Sequence, residues 1–361
     1  MKKLLSLFLL VVFFNNGFSQ EATKKETILY IVDKVPVIDE PNENSGNVTN
    51  DDIEEVTVIK DKEKINLTGY SVDKLIYVTT KEYKKRPEEI KNIPTTKLMD
   101  QKDGAWFLKG ATTPYSGKFI DYFLNGKIQG EGVLKNGIVD GARTTYYLNG
   151  SKRYTYTYRD GMQSGESEEY FTNGKIKQKG SFFNRKQIGL WQRFYSTGEL
   201  KDQMMFVNEK PQLSKEQKKF YNLQDKATEL MKEEDYKAAI RKLDDAEKIN
   251  NKYSDLYFDR GTSKLDNMDF DTAVLDLDKA IELEPLYMEA IANRAFARIR
   301  KYQFKNSRTL SKTSKVTILA SKDKVDIPKD DLAKICADLQ KCYELGNKKD
   351  MILDAMKDYC K

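Results

Sequence analysis

The chemistry open to this 361-residue chain is bounded first by a missing residue type, because it contains no histidine. General acid–base catalysis near neutral pH, Ser-His and Cys-His nucleophiles and most zinc sites depend on imidazole, whose unperturbed pKa is about 6.5. Carboxylates and lysines are abundant, yet no pair of acids stands apart from the solvated charge around it. The three cysteines, Cys336, Cys342 and Cys360, are gathered at the C-terminal end and form no Cys-x-x-Cys motif, so a structural clasp is expected over redox chemistry. Cys336 and Cys342 lie six apart on one predicted helix and face different ways. Any disulfide therefore needs Cys360, and Cys336 with Cys360 is the expected pair because position 342 points into a helix crossing. No catalytic residue, metal, cofactor or small-molecule substrate is assigned.

Composition fits folded material, with 39 % hydrophobic and 33 % charged residues. At this length two or three domains are expected. Residues 1–20 carry Lys2 and Lys3, an apolar run from Leu4 to Phe14 and a small, polar end. This reads as a cleavable secretory signal, the apolar run being about half the roughly 20 residues that a membrane span requires. The mature chain is thus expected beyond the inner membrane. Its mild positive charge is interspersed with acids along the chain, which argues against nucleic acid as a partner.

A lattice organises the middle of the chain. Gly117, Gly141, Gly165 and Gly189 recur at one constant interval, and the turn dipeptides Asn125-Gly126, Asn149-Gly150, Asn173-Gly174 and Thr197-Gly198 follow each in turn. Aromatic pairs precede these turns: Tyr122-Phe123, Tyr146-Tyr147, Tyr170-Phe171 and Phe194-Tyr195. Asn-Gly favours the type I′ turn, so each unit predicts a β-hairpin and residues 109–207 one antiparallel sheet with its rings aligned across strands. Asn136-Gly137 and Asp160-Gly161 predict the turns between hairpins, a signal that weakens at Asn184-Arg185 and Asn208-Glu209. The stretches NGKIQGEGVLKNG and NGKIKQKGSFFN resemble the bacterial form of the MORN (membrane occupation and recognition nexus) repeat, which implies a protein-binding or membrane-associated platform.

Residues 27–85 contain three β-branched runs, Ile28–Val32, Val56–Ile59 and Leu75–Thr80, expected as strands of a small α/β module. The text ILYIVDKVPVIDEP and DDIEEVTVIKDKEKINLTGYSVDKLIYVTTK resembles part of the plug domain of TonB-dependent outer-membrane transporters, with Lys34 where a glycine is usual. No barrel follows, so the resemblance implies a borrowed docking module and not transport.

From Ser214 a second, longer period appears: Ala227, Gly261 and Ala295 form one column, Ala239 and Ala273 another, Ala246 and Ala280 a third. Small residues are needed where helices of a hairpin cross closely, and Pro285 ends the second unit. The text SDLYFDRGTSKLDNMDFDTAVLDLDKAIELEP resembles a tetratricopeptide (TPR) repeat, which implies a helical solenoid over residues 214–361 with a peptide groove. Carried over, the groove positions are Gln224, Thr228 and Lys232, then Phe258, Thr262, Leu265 and Asp266, then Ala292, Phe296, Ile299 and Arg300. Phe258 and Phe296 would anchor an extended peptide, with Lys232 and Arg300 pairing its carboxylates. An insertion at 302–330 is either a loop, the favoured reading, or a partner-binding strand, and a capping helix Lys348 to Tyr359 is expected to close the array.

The expected fold class is a multidomain α+β chain: a plug-like α/β module, an elongated hairpin sheet and a C-terminal α-helical solenoid. The expected function is a non-enzymatic scaffold or adaptor of the bacterial periplasm or outer-membrane envelope, binding a partner peptide or protein, in a combination that resembles envelope proteins of Bacteroidota. The alternative is a peripheral lipid-surface protein acting through Lys127, Arg153, Tyr154, Lys175 and Lys177 of the sheet.

Overall fold

The structure, a computed structural model, describes residues 26–38, 46–305, 307–312, 317–320 and 326–360. The leader expected at 1–20 lies outside the described residues. The chain divides into two units, the first ending at Arg86 and including Leu124–Gly126, the second holding Pro87–Phe123 and everything from Lys127.

The first unit is a four-stranded sheet in the order β2-β1-β4-β3, with β1 Ile28–Val32, β2 Val35–Val37, β3 Ile53–Ile59 and β4 Lys74–Thr80. Strand β4 is parallel to β1 and antiparallel to β3. Helix α1, Lys62–Leu67, is capped by Asp61, whose carboxylate accepts from the N–H of Glu63 at 2.9 Å, and α2, Lys81–Lys85, is capped by Thr80. Alternation along β4 sends Leu75 to a core with Ile31 and Ile65, and Ile76 and Val78 to a second with Val32. Lys34 stands in the β1–β2 turn with φ of 72°, the left-handed conformation that explains why glycine suits that place.

In the second unit, α3 (Glu88–Lys91) and the hairpin of β5 (Met99–Lys102) and β6 (Ala105–Leu108) precede a ten-stranded antiparallel sheet. Its strands are β7 Gly117–Tyr122, β8 Ile128–Lys135, β9 Ile138–Val139, β10 Gly141–Tyr146, β11 Lys152–Arg159, β12 Met162–Tyr170, β13 Ile176–Phe183, β14 Lys186–Phe194, β15 Leu200–Val207 and β16 Lys210–Gln212. The glycine lattice is thus a repeat of hairpins. Rings other than those of the expected pairs meet across strands: Tyr156 of β11 lies edge-on to Phe182 of β13 at 6.1 Å, and Phe182 to Trp191 of β14 at 4.9 Å, while Tyr154 stacks on Tyr156 within β11 at 4.6 Å. All four lattice glycines have positive φ, and at Gly165 a Cβ would lie 2.9 Å from that of Thr157, so a side chain there meets both strain and collision.

The turns correct the sequence reading. The type I′ signature, positive φ at both central residues, belongs to the turns between hairpins, at Asn136-Gly137 and Asp160-Gly161 and also at Asn184-Arg185 and Asn208-Glu209, where no glycine announced it. At Asn149-Gly150 and Asn173-Gly174 only the glycine has positive φ. Its N–H instead closes a turn on the carbonyl of Tyr147 (2.8 Å) or Phe171 (2.9 Å), and the register shifts by a bulge beside it. Asparagine serves another purpose here. The Oδ1 of Asn149 accepts from the N–H of Ser151 at 3.0 Å while its Nδ2 donates to the carbonyl of Thr172 in the next hairpin at 2.9 Å, and Asn173 does the same toward Lys175 (3.1 Å) and Ser196 (2.9 Å). The amide stitches one turn to the next.

Among the described residues seven helices follow: α4 Lys215–Lys232, α5 Tyr236–Glu247, α6 Ser254–Asp266, α7 Phe270–Leu283, α8 Met288–Gln303, α9 Lys329–Glu344 and α10 Asp350–Tyr359. Ser214 and Gln217 form the reciprocal capping box of α4, at 3.1 and 2.9 Å. The small-residue columns are fully buried, and a Cβ on Gly261 would fall 2.8 Å from Leu277 Cγ. The insertion, favoured above as a plain loop, contains an antiparallel strand pair, β17 Arg308–Lys312 with β18 Thr317–Ala320. Helix α9 then packs on α8 through Ile335, Leu339 and Cys342. The sulfurs of Cys336 and Cys360 are 2.10 Å apart with Cα atoms at 5.5 Å, joining α9 to the end of α10. Cys342 is wholly buried, and burial first, then the Asp338 and Glu289 carboxylates, push its thiol up to about 12.

Buried charge runs through the helical array with the same period. Arg260 reaches Asp276 through two nitrogens (3.0 and 2.8 Å), Asp244 (2.8 Å) and Glu247 (2.5 Å). One period on, Arg294 reaches Asp278 (2.7 Å) and Asp338 (3.0 and 2.6 Å). Arg260→Ala would leave the buried Asp276 carboxylate paired with Lys264 alone, at 2.7 Å, while Asp244 and Glu247 turn to solvent, so unfolding free energy should fall by about 1–3 kcal/mol in urea titration. Conversely Arg185, exposed at φ of 66°, carries a left-handed strain. Arg185→Gly should raise stability by a few tenths to about 1 kcal/mol, and an unchanged or lower midpoint would refute that account.

Candidate partner-binding surfaces

The first helices of the pairs, α4, α6 and α8, carry the groove positions expected from sequence. Thr228, Lys232 and Asp266 are exposed, and Gln224, Phe258, Thr262, Phe296 and Arg300 are half-buried. Three positions are corrected: Leu265, Ala292 and Ile299 are buried at 5 %, 6 % and 2 % exposure, part of the cores between helices, and cannot meet a partner. Other groups are already engaged. Phe258 packs on the ring of Tyr287 at 4.8 Å, Thr262 accepts from Asn293 Nδ2 at 2.9 Å, and the Arg300 guanidinium lies 3.8 Å from the Asp266 carboxylate. Arg300 is thus not a lone cation awaiting a peptide carboxylate.

Sequence reasoning missed the joint where the end of the sheet meets the helices. Tyr195, the second ring of its pair and 3 % exposed, donates its hydroxyl to the carbonyl of Lys252 at 2.5 Å and accepts from the N–H of Ser254 at 3.2 Å. The buried Glu284 carboxylate accepts from the N–H of Ser196 at 2.8 Å and from that of Leu286 at 3.0 Å. Lys201 of β15 donates to both oxygens of Asp255, the second residue of α6, at 2.9 Å, with its ammonium 4.7 Å from the centre of the Tyr253 ring. Arg193 pairs with Asp202 and donates to the Tyr253 hydroxyl at 3.1 Å, and Tyr221 of α4 donates to Asp202 at 3.3 Å. Burial raises the Tyr195 phenol to about 12, so it remains a donor throughout the physiological range. The available signal was positional: Tyr195 and Lys201 repeat Phe171 and Lys177 one period on.

The joint also places carboxylates together on α6. Asp259, one turn beyond Asp255, is raised from 3.8 to about 7 by burial and then by the Asp255 charge, against a lowering by Lys201. On the sheet, two residues of the lipid-contact reading are committed elsewhere, since Tyr154 stacks on Tyr156 and Lys175 donates to the carbonyl of Thr197 at 2.6 Å. Arg153 and Lys177 are exposed.

Among family models, that of the MORN repeat variant matches residues 163–184 and 187–208. Comparison with curated proteins finds no match. Among solved structures, the chain is similar to the Arabidopsis OM64 TPR domain at 16 % identity and a TM-score of 0.31, covering 40 % of this chain and 97 % of that one. It is likewise similar to the second TPR domain of human RPAP3, in complex with an HSP70 peptide, at 17 % identity and a TM-score of 0.31, with 40 % and 98 % covered. A TPR2B domain of yeast Sti1, in an Hsp70 complex, gives 16 % and 0.29, with 40 % and 94 % covered.

The Asp259 carboxyl holds its proton in the fold where the unfolded chain has lost it, so its contribution favours the folded state at low pH and is lost as pH rises from about 4 to about 7. Asp259→Asn abolishes that titration. Urea titrations between about pH 4.5 and pH 7.5 should show a smaller fall in stability for the variant than for the parent, and parallel falls would count against the raised carboxyl.

Proposed function

We propose that the protein is a non-enzymatic scaffold or adaptor that binds other proteins, working in the periplasm or at the outer membrane of a bacterial envelope. The MORN repeats and TPR-like helices support a protein-interaction role, and the observation that carries the reading is the joint around Tyr195, Lys201 and Glu284. It fastens two repeat arrays into one body, so their surfaces are offered at a fixed spacing. A pair of arrays connected only by a tether would need no such buried contacts. The envelope setting rests on the leader-like residues 1–20 and on the plug resemblance of residues 27–85, which would serve to dock the chain on a membrane complex.

On the helical face, the exposed members Thr228 and Lys232 are the ones left to select a partner, with Phe258 and Phe296 as half-buried apolar floor. The test is affinity capture of the mature chain from its native envelope, beside a Thr228→Arg, Lys232→Glu double variant of equal thermal stability. We expect a defined set of envelope proteins with the parent and loss of at least one with the variant. Identical protein sets, or none above a bead control, would overturn the reading.

A further inference from the structure

The joint displays what one repeat of the sheet recognises. Tyr195 and Lys201 form a ring–cation pair 5.7 Å apart, and what they hold is the start of a helix: the carbonyl of Lys252, the N–H of Ser254 and the carboxylate of Asp255. The same pair occurs one and two sheet repeats earlier. Arg153 lies 5.9 Å from the centre of the Tyr147 ring and Lys177 6.0 Å from that of Phe171. The three cations stand on β11, β13 and β15, alternate strands of one sheet, and so step along it by about 10 Å. The difference between them is occupancy. Lys201 is covered and paired, whereas Arg153 and Lys177 are exposed and, among the described residues, no carboxylate stands within ion-pair distance of either.

We propose that Tyr147–Arg153 and Phe171–Lys177 form a docking edge for an acidic helix start of a partner protein, one with a carboxylate in its first turn as Asp255 is placed in α6. The inference rests on the scaffold reading above and adds the chemistry of the partner. Charge complementarity favours a carboxylate, and continuity with the joint favours one presented by a helix and not by a lipid headgroup, since the second ring of the pair abuts backbone in the one occupied case. Tyr147 spends its own hydroxyl on the carbonyl of Tyr170 at 2.8 Å, so the free sites offer ring face and cation, without the phenol contact.

The probe is a fluorescent synthetic peptide of residues 250–266, the segment held in the joint, added to the full mature chain and read by anisotropy. We expect salt-sensitive binding, weakened by up to about fivefold by Arg153→Ala with Lys177→Ala, the loss of one exposed ion pair at each site. Peptide carrying Asp255→Asn should bind comparably weakly. Charge reversal guards against a merely structural effect: Arg153→Glu with Lys177→Glu should reject the parent peptide and accept one with Asp255→Lys. Unchanged anisotropy with the alanine variants, equal binding of the Asp255→Asn peptide, or failure of the swapped pair would overturn the proposal. So would sedimentation with anionic vesicles that the alanine variants abolish while the peptide does not bind. If peptide binding fails while envelope proteins are still captured in the earlier test, this inference falls alone and the scaffold reading stands.

Discussion

One buried carboxylate decides how the two repeat arrays are held. Glu284 ends the second helical pair, is 8 % exposed, and accepts from the N–H of Ser196 in the β14–β15 turn and from that of Leu286 in the loop before α8. A dry carboxylate is costly unless its lone pairs are filled, so this geometry tolerates little displacement of either array. The neighbours point the same way: the Tyr195 hydroxyl both donates and accepts, and Lys201 is held by two oxygens under a ring. The last strands of the sheet therefore move with the first helices as one body. That fixed relation is what turns two generic repeat surfaces into a composite one.

Periodicity made the architecture readable. Gly117, Gly141, Gly165 and Gly189 marked the hairpins because each sits at positive φ, and the alanine columns marked helix crossings because nothing larger fits beside Leu277 and its counterparts. The turns were misread for a physical reason. Asn-Gly is compatible with two backbone solutions, and the choice between them depends on whether the amide has a carbonyl to reach in the next hairpin, as Asn149 has in Thr172. A local motif does not contain that neighbour. In reverse, Asn184-Arg185 and Asn208-Glu209 lack the glycine that would announce their turn, and sheet pairing on both sides imposes left-handed backbone on side chains that ordinarily avoid it.

The surface was less legible than the fold. Family positions on the helices were carried over one by one, but Leu265, Ala292 and Ile299 prove to be packing residues, because the first helix of each pair meets its neighbours across more of its circumference than a groove pattern assumes. The Arg260 and Arg294 networks were visible in principle, since the two arginines, like Asp244 and Asp278, stand one helical period apart, yet charged residues read as solvated until burial is known. The joint was hidden more deeply: only the helices in place tell the Tyr195–Lys201 pair from the Phe171–Lys177 pair.

The helical array also absorbs a long interruption without losing step. Ala280 and Cys342 occupy the same column although the insertion separates them by nearly two periods in sequence, and the arginine–aspartate ladder resumes across the gap through Asp338. Closing a longer excursion costs only the logarithm of its length, so the stacking on either side is nearly indifferent to what is inserted. That corner can therefore lengthen or shorten at little cost to the helices beside it, while the disulfide between Cys336 and Cys360 ties α9 to the end of α10.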